Sequence, residues 1–232
     1  MLGPDSVGSA AVPARRLLDS TELLAALPDD VKAQLAADAN ETMIPRGDLL
    51  FRQGDPSSEL FVVLEGKIAV ATHSSDGRES LVAVLEPGGL FGELGMFDGE
   101  PRSADARALT DGKVLSIAYD DVREVLRDQP EFLWIIVRIL AQRLRATDEA
   151  LADAVFLDVP ARTAKRLLEL AGDRDVVQLP MTQEDLAGLV GASRERVNKA
   201  LALFLRLEWL AQEGRGRYRI LDREALAQRA NP

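Results

Sequence analysis

Met181–Leu210, MTQEDLAGLVGASRERVNKALALFLRLEWL, is the stretch that decides the fold. Thr182 is placed to cap a first helix with Asp185 at its third position, and Leu186, Leu189 and Val190 give that helix one apolar stripe. Gly191 ends it. Ser193 can cap a second helix, on which Val197, Ala200, Leu201 and Phe204 fall together on an inward face, while Arg194, Glu195, Asn198 and Lys199 fall on the other side. Two capped helices joined at a glycine predict a helix-turn-helix. Polar side chains in the first two turns of the second helix are what base edges in a major groove require.

The residue types suggest roles. An arginine fork matches the O6 and N7 acceptors of guanine, and a carboxylate accepts from cytosine N4, so Arg194 and Glu195 are the expected base readers. Lys199 would reach a guanine or a phosphate, and Arg196, nearly opposite Arg194 on the helical wheel, suits phosphate or solvent. The plainer alternative is a helical hairpin with a solvated charged face. Downstream, Leu210, Glu213-Gly214-Arg215-Gly216 and Arg217–Leu221 read as a hairpin, or wing. Arg215, Arg217 and Arg219 alternate there and are expected to share one face turned to phosphates.

The 232 residues suffice for two modest domains, and the net charge of −10 is unevenly spread. After Pro160 there are 13 basic and 10 acidic residues, a balance of +3, which leaves −13 before it. DNA would be repelled by the front of the chain and held by its back. With no cysteine there are no disulfides, thiolate zinc sites or cysteine-ligated iron–sulfur clusters. The single histidine, His73, before the turn Ser74-Ser75-Asp76-Gly77, lacks an evident second ligand, so an ordinary surface role is expected rather than haem or metal binding. Residues 1–16 read as a disordered tail. The apolar run Phe132–Ala141 is interrupted by Arg138 and is too short to span a membrane, so a soluble cytoplasmic protein is expected.

Between Gly47 and Ile117, apolar runs at Leu60–Leu64, Lys67–Thr72, Ser80–Leu85 and Val114–Ile117 alternate with glycine turns, as antiparallel strands of a small β-barrel or jelly roll do. Helical patterns flank them at Leu17–Ala39 and Tyr119–Phe156. Within this domain, Phe91-Gly92-Glu93-Leu94-Gly95 followed by Pro101-Arg102-Ser103 is unusual. A glycine-flanked turn opening a short helix exposes N–H groups to an anion, and an arginine one loop away would complete the charge. A merely tight loop is the alternative, because the glycines do not fit GxGxxG.

Leu133, Val137, Leu140, Leu144, Thr147, Leu151 and Ala154 follow alternating steps of four and three, the seam of a two-stranded coiled coil. Thr147 is its one polar member and would fix register. At Pro160 the next helix begins, which makes Leu157-Asp158-Val159-Pro160 the candidate hinge.

Taken together, GELG with PRS, the segment RLRATDEALADAVFLDVPARTAKRLLEL, and SRERVNKAL inside a helix-turn-helix resemble the cAMP receptor protein/FNR family of bacterial transcription regulators, nearest its actinobacterial cAMP receptor branch. The resemblance runs from about Leu17 to Leu221. It implies an α+β chain, with a cyclic-nucleotide-binding β-roll at 17–129, a dimerisation helix at 130–157 and a winged helix-turn-helix at 158–232. It also implies that Gly92 and Leu94 offer backbone near the phosphate and ribose, that Glu93 binds the ribose 2′-hydroxyl, and that Arg102 and Ser103 hold the cyclic phosphate of cAMP. Thr147 would meet the adenine amino group.

Asp148 departs from the family, where a neutral Ser or Asn usually follows this threonine and reaches the partner chain's nucleotide. A carboxylate there would accept from adenine and disfavour guanine, or would simply face solvent. For DNA the resemblance assigns base contacts to Arg194, Glu195 and Lys199, with half-sites related to GTGA. Ser193, Arg196, Asn198, Arg215 and Arg217 complete the expected interface. The expected partners are an operator duplex, a second copy of the chain and RNA polymerase, in activation or repression.

Two other readings stay open. One keeps the fold but acts without ligand or answers another nucleotide, such as a cyclic dinucleotide. The other is a nucleotide sensor working through protein contacts. An enzyme is not expected, because the site offers no evident nucleophile or base.

Overall fold

Every residue between Leu60 and Leu64 is buried, which needs cover on both faces of one strand. In the computed structural model, which describes residues 28–73, 79–179 and 182–231, that strand is β3 (Glu59–Glu65). Phe61 and Val63 point into a cluster with Ile44, Ile68, Phe91, Ala106, Ala108 and Val114. Leu60, Val62 and Leu64 point the other way, against Val31, Leu35, Leu115, Ile117, Val122, Val125 and Ile136. The period of two along a strand thus builds two cores from one run.

The elements of the first part are α1 (Asp29–Ala37), β1 (Asn40–Ile44), β2 (Leu49–Phe51), β3, β4 (Ile68–His73), β5 (Glu79–Leu85), β6 (Leu90–Phe91), α2 (Leu94–Asp98), β7 (Asp105–Ala108), β8 (Gly112–Ala118) and α3 (Tyr119–Asp128). One sheet runs β1-β8-β3-β6 and the other β2-β7-β4-β5. The cluster around Phe61 draws residues from both sheets, so it is the filling of a β-roll. Helices α1 and α3 and the start of the long helix cover the outer face of the first sheet.

A 3-10 turn (Pro130–Phe132) leads into α4 (Leu133–Phe156), 24 residues without glycine or proline. Pro160 disfavours helical geometry at the residue before it, and a new helix, α5 (Val159–Ala171), starts there. Asp158 caps it, its carboxylate accepting from the Ala161 N–H at 2.9 Å. The Leu133, Val137, Leu144 and Leu151 side chains stay exposed on the single chain, as an unpaired seam would.

The rest is β9 (Val176–Gln178), α6 (Gln183–Val190), α7 (Arg194–Arg206), β10 (Leu210–Gly214), β11 (Arg217–Ile220) and α8 (Arg223–Ala230), with the sheet order β10-β11-β9. The chain forms two compact units: one holds the described residues up to Thr72 with Ala83–Ala141, the other His73–Val82 with those from Gln142 onward. The α+β class, β-roll, long helix and winged helix-turn-helix match the sequence expectation. The expected tail at 1–16, the turn at 74–78 and Met181 lie outside the described residues.

One detail corrects the expectation from sequence. Arg215 sits in the turn between β10 and β11, so only Arg217 and Arg219 share the strand face, opposite buried Tyr218 and Ile220. Over Tyr119–Phe156 the helical patterns form two helices, since Pro130 lacks the N–H that would continue the first.

Candidate ligand site and nucleic-acid interface

In the first unit, Arg102 is 7% exposed. Its backbone is pinned on both sides: its N–H donates to the Asp55 carbonyl at 2.9 Å, and its carbonyl accepts from the Gly54 N–H at 2.8 Å. The guanidinium lies 4.2 Å from the Phe51 ring centroid and 5.4 Å from that of Phe61. Its Nη1 donates to the Gly92 carbonyl at 2.8 Å and to the Tyr119 hydroxyl at 3.3 Å. Nε is buried and has no acceptor among the described residues. Among the described residues no carboxylate pairs with this cation. A guanidinium taken out of water without a counter-ion is costly by several kcal/mol, at about the scale known for a single buried ion. Aromatic faces offset part of that, and an anion would offset the rest.

The turn that faces Arg102 is equally constrained. Gly92 has φ +76°, and a Cβ there would lie 2.6 Å from Arg102 Nη1 and 3.3 Å from Phe61. Only glycine lets the guanidinium lie against the backbone in this way. Glu93, 1% exposed, follows it, and α2 opens at Leu94, which is 41% exposed. Ser103 is exposed beside Arg102. Gly92, Glu93, Leu94, Arg102 and Ser103 are therefore gathered in one unit. A buried carboxylate near a buried guanidinium that it does not neutralise suits a ligand with hydroxyl donors and one negative charge. A ribose cyclic phosphate has both.

Tyr119 was not singled out from sequence. Its hydroxyl donates to the Gly92 carbonyl while accepting from Arg102, and its ring lies 5.7 Å from the Arg123 guanidinium. Arg123 in turn donates to the Met96 carbonyl of α2 at 3.1 Å. The only local signal for this tyrosine is its place at the junction of a strand and a helix. Thr147 and Asp148 lie on the stretch of α4 that groups with the second unit. Both are exposed, and the Thr147 hydroxyl donates to its own helix at Arg143. His73 faces Glu79 across the hairpin at 3.6 Å, and no metal-holding cluster occurs among the described residues. No helix among them is long and apolar enough to cross a membrane.

In the second unit, the predicted caps are formed. Thr182 Oγ1 accepts from the Asp185 N–H at 3.2 Å while Asp185 accepts from the Thr182 N–H at 2.7 Å, a reciprocal box. Gly191, at φ 66°, closes α6 in the left-handed region that its missing Cβ permits. Ser193 accepts from the Arg196 N–H, and Val197, Ala200, Leu201 and Phe204 are all buried. Arg194, Glu195, Arg196 and Lys199 are exposed on the other side.

Asn198 is only half-buried, with Oδ1 shielded and lacking a hydrogen bond. At 100° per residue it stands about 60° from Leu201, at the edge of the exposed face. Arg194 lies 3.9 Å from Glu184, and Lys199 pairs with Glu195 at 2.6 Å. The hydrogen bond from Lys199, reinforced by its charge, holds the Glu195 carboxyl below its ordinary range. Both must reorganise to meet base edges.

The junction is tied by charge as well. Arg162 donates to the Ala154 carbonyl at 3.1 Å, and to the Leu157 and Gly191 carbonyls at 3.4 and 3.3 Å. A cation at the end of α4 suits its carbonyl dipoles. Asp158 pairs with Arg229 of α8 at 2.5 Å. Partial desolvation pushes the Asp158 carboxyl up, but the Ala161 N–H and Arg229, with Arg162 behind them, prevail and hold it below its ordinary range.

Residues 41–129 match the family of cyclic nucleotide-binding domains, and residues 161–229 match the Crp-like helix-turn-helix domain. The chain is 42% identical over 193 residues to the CRP-like cAMP-activated global transcriptional regulator of Mycobacterium tuberculosis, covering 80% of this chain and 86% of the relative. Among solved structures it is similar to the c-di-GMP responsive global regulator CLP of Xanthomonas campestris, with 25% identity, a TM-score of 0.75 and coverage of 83% and 99%. FixK2 from Bradyrhizobium japonicum shares the fold at 20% identity, with a TM-score of 0.76 over 84% of this chain and 98% of that one. The Mycobacterium tuberculosis relative is a transcription regulator and not an enzyme, and both halves of the chain answer to the same kind of protein: the chain belongs to the cAMP receptor protein/FNR family of cyclic-nucleotide-binding, DNA-binding transcription regulators.

Proposed function

We propose that the protein is a homodimeric, cytoplasmic transcription regulator that binds cAMP and thereby reads palindromic DNA with GTGA-like half-sites. The observation that carries the cAMP reading is the buried Arg102, cradled by Gly92 and left without a carboxylate among the described residues. The cAMP-activated relative in Mycobacterium tuberculosis supports the choice of nucleotide. Gly92, Glu93, Leu94 and Ser103 surround the phosphate and ribose in this reading, with Thr147 and Asp148 meeting the base. The exposed seam Leu133–Ala154 pairs with a second copy and sets two α7 helices about one DNA turn, roughly 34 Å, apart.

Arg194, Glu195 and Lys199 read bases. Ser193, Arg196, Asn198, Arg215 and Arg217 serve the backbone, and RNA polymerase is the partner once the operator is occupied. Ligand and DNA each tighten the other, because each favours the same arrangement. The test measures the affinity of a GTGA-palindrome duplex with and without cAMP. Tighter binding with cAMP supports the proposal, and equal affinities reject cAMP as the effector.

A second reading takes a cyclic dinucleotide as effector. Likeness to the c-di-GMP responsive regulator of Xanthomonas campestris favours it. Calorimetry with cAMP, cGMP and cyclic di-GMP separates the two.

A further inference from the structure

The wing carries a side-chain arrangement that the reading so far leaves unexplained. β10 and β11 pair as Leu210↔Ile220, Ala211↔Arg219 and Gln212↔Tyr218, after which the register shifts and Gly214 stands opposite Arg217. Glu213 is the extra residue of this bulge. A bulge adds local twist and re-aims a side chain. Here it sets one carboxylate between two arginines that are two residues apart on β11. Oε2 accepts from Arg217 Nε at 3.0 Å and Oε1 from Arg219 Nε at 2.5 Å. Those two guanidiniums, Arg219 first, hold the Glu213 carboxyl below its ordinary range.

How the carboxylate is shared matters more than its presence. A bidentate pair uses both oxygens on one guanidinium and consumes two of its N–H groups, at least one of them terminal. Split between two partners, Glu213 touches each arginine only through Nε. The Nη groups of Arg217 and Arg219 have no partner among the described residues. The arginine side chains are 51% and 45% exposed, against 27% for Glu213, so the negative charge lies behind and the forks lie in front. Two residues along a strand span about 6.7 Å, comparable to the step between neighbouring phosphates on one DNA strand.

The reading helix differs. Lys199 meets Glu195 through its compact ammonium and must give up that pairing to engage DNA. On the wing nothing has to be released.

We infer that Glu213 is a positioning residue for DNA binding: from behind, it aims Arg217 and Arg219 as two forks at adjacent phosphates of one strand, and it stays bound to both when DNA arrives. The inference rests on the DNA-binding reading of the winged helix-turn-helix. Fixing two long side chains in advance spares the ordering cost that each would otherwise carry on binding. It also explains why arginine serves here, since an ammonium gripped by a carboxylate keeps no planar fork for a second anion.

The test is fluorescence anisotropy of the full-length protein with cAMP and a labelled GTGA-palindrome duplex over a salt series, with thermal unfolding of each variant. Glu213→Gln is expected to weaken binding roughly two- to tenfold at unchanged Tm. Arg217→Ala/Arg219→Ala is expected to weaken it further and to flatten the slope of log K against log salt by about 1.8, two phosphates' worth. In that double-alanine background, Glu213→Gln is expected to strengthen binding or leave it alone, because only an uncompensated negative charge remains to be removed. A purely structural glutamate would not show that reversal.

Equal or tighter binding by Glu213→Gln in the otherwise native chain overturns the inference and makes Glu213 a competitor of phosphate. The same weakening in both backgrounds also overturns it. If the native protein fails to bind either this duplex or random duplex at low salt, the DNA-binding reading falls, and the inference with it.

Discussion

Replacing Arg102 with leucine separates a ligand-binding cation from a structural one. In the chain as it stands, the guanidinium contributes a hydrogen bond to Gly92, about 1 kcal/mol, and cation–π contacts to Phe51 and Phe61 of about 1–2 kcal/mol. Against these stand the buried Nε without an acceptor, about 1–3 kcal/mol, and a charge held at 7% exposure. Leucine removes all of these and adds apolar burial beside the aromatic rings, while the Tyr119 hydroxyl still serves the Gly92 carbonyl. The terms nearly cancel, so the Tm of Arg102→Leu is expected within about 4 °C of the native protein.

Ligand binding should respond quite differently. Truncating one member of a buried, hydrogen-bonded charge pair costs about 2–5 kcal/mol, or roughly 30- to 4,000-fold in Kd. Calorimetry with cAMP is therefore expected to show binding lost or weakened at least 30-fold, and cAMP should no longer raise Tm. Unchanged cAMP affinity would refute the anion site. Unfolding of the variant would show that Arg102 is a strut.

Four further outcomes follow from the same geometry. Gly92→Ala puts a Cβ 2.6 Å from Arg102 Nη1 at φ +76°, so it should cost about 1–2 kcal/mol of stability by denaturant titration and weaken cAMP binding. Glu208 is the one described non-glycine residue with positive φ, at 58°, where α7 closes with Trp209 donating to the Phe204 carbonyl and stacking on its ring. Glu208→Gly should accordingly stabilise by about 0.5–1 kcal/mol, read as a rise in Tm. Asp158 has a depressed pKa, so its contribution is fully present above the ordinary carboxylate value and is lost as pH falls through the lowered one. Asp158→Asn keeps the cap but should flatten the acid limb of a stability–pH curve; an unchanged limb would dismiss the Arg229 pairing. Finally, Arg194→Ala should cost about 1–3 kcal/mol and relax preference at one base pair, whereas Arg196→Ala should weaken all duplexes alike; identical profiles would contradict the assignment.

The helix-turn-helix was legible because its determinants are local. Thr182, Asp185, Gly191 and Ser193 act within four residues of themselves, and the buried stripe of α7 repeats at the helical period. β3 and β8 were legible as apolar runs. β1, β2, β6, β7 and β9 were not, since they span two to five residues and β1 exposes four of its five. Such strands exist because a neighbour pairs with them, which periodicity cannot reveal.

The site divides in the same way. GELG and PRS pointed to Gly92, Glu93 and Arg102, but the lack of a pairing carboxylate for Arg102 among the described residues and the bond from Tyr119 to Gly92 are tertiary facts. Alternation placed Arg217 and Arg219 together correctly. It also placed Arg215 with them, although the turn removes it from the strand. The grip of Glu213 depends on a bulge that no local pattern announced.

The central claim is a coupling between an anion held by Arg102 and two reading helices. Calorimetric titration of cAMP into the free protein and into its complex with the GTGA-palindrome duplex tests it most directly, because linkage requires the combined affinity of the dimer's two cAMP sites to differ by the same factor by which saturating cAMP changes DNA affinity. The account predicts tighter cAMP binding in the complex by that factor. Identical cAMP affinities in the two titrations would contradict it.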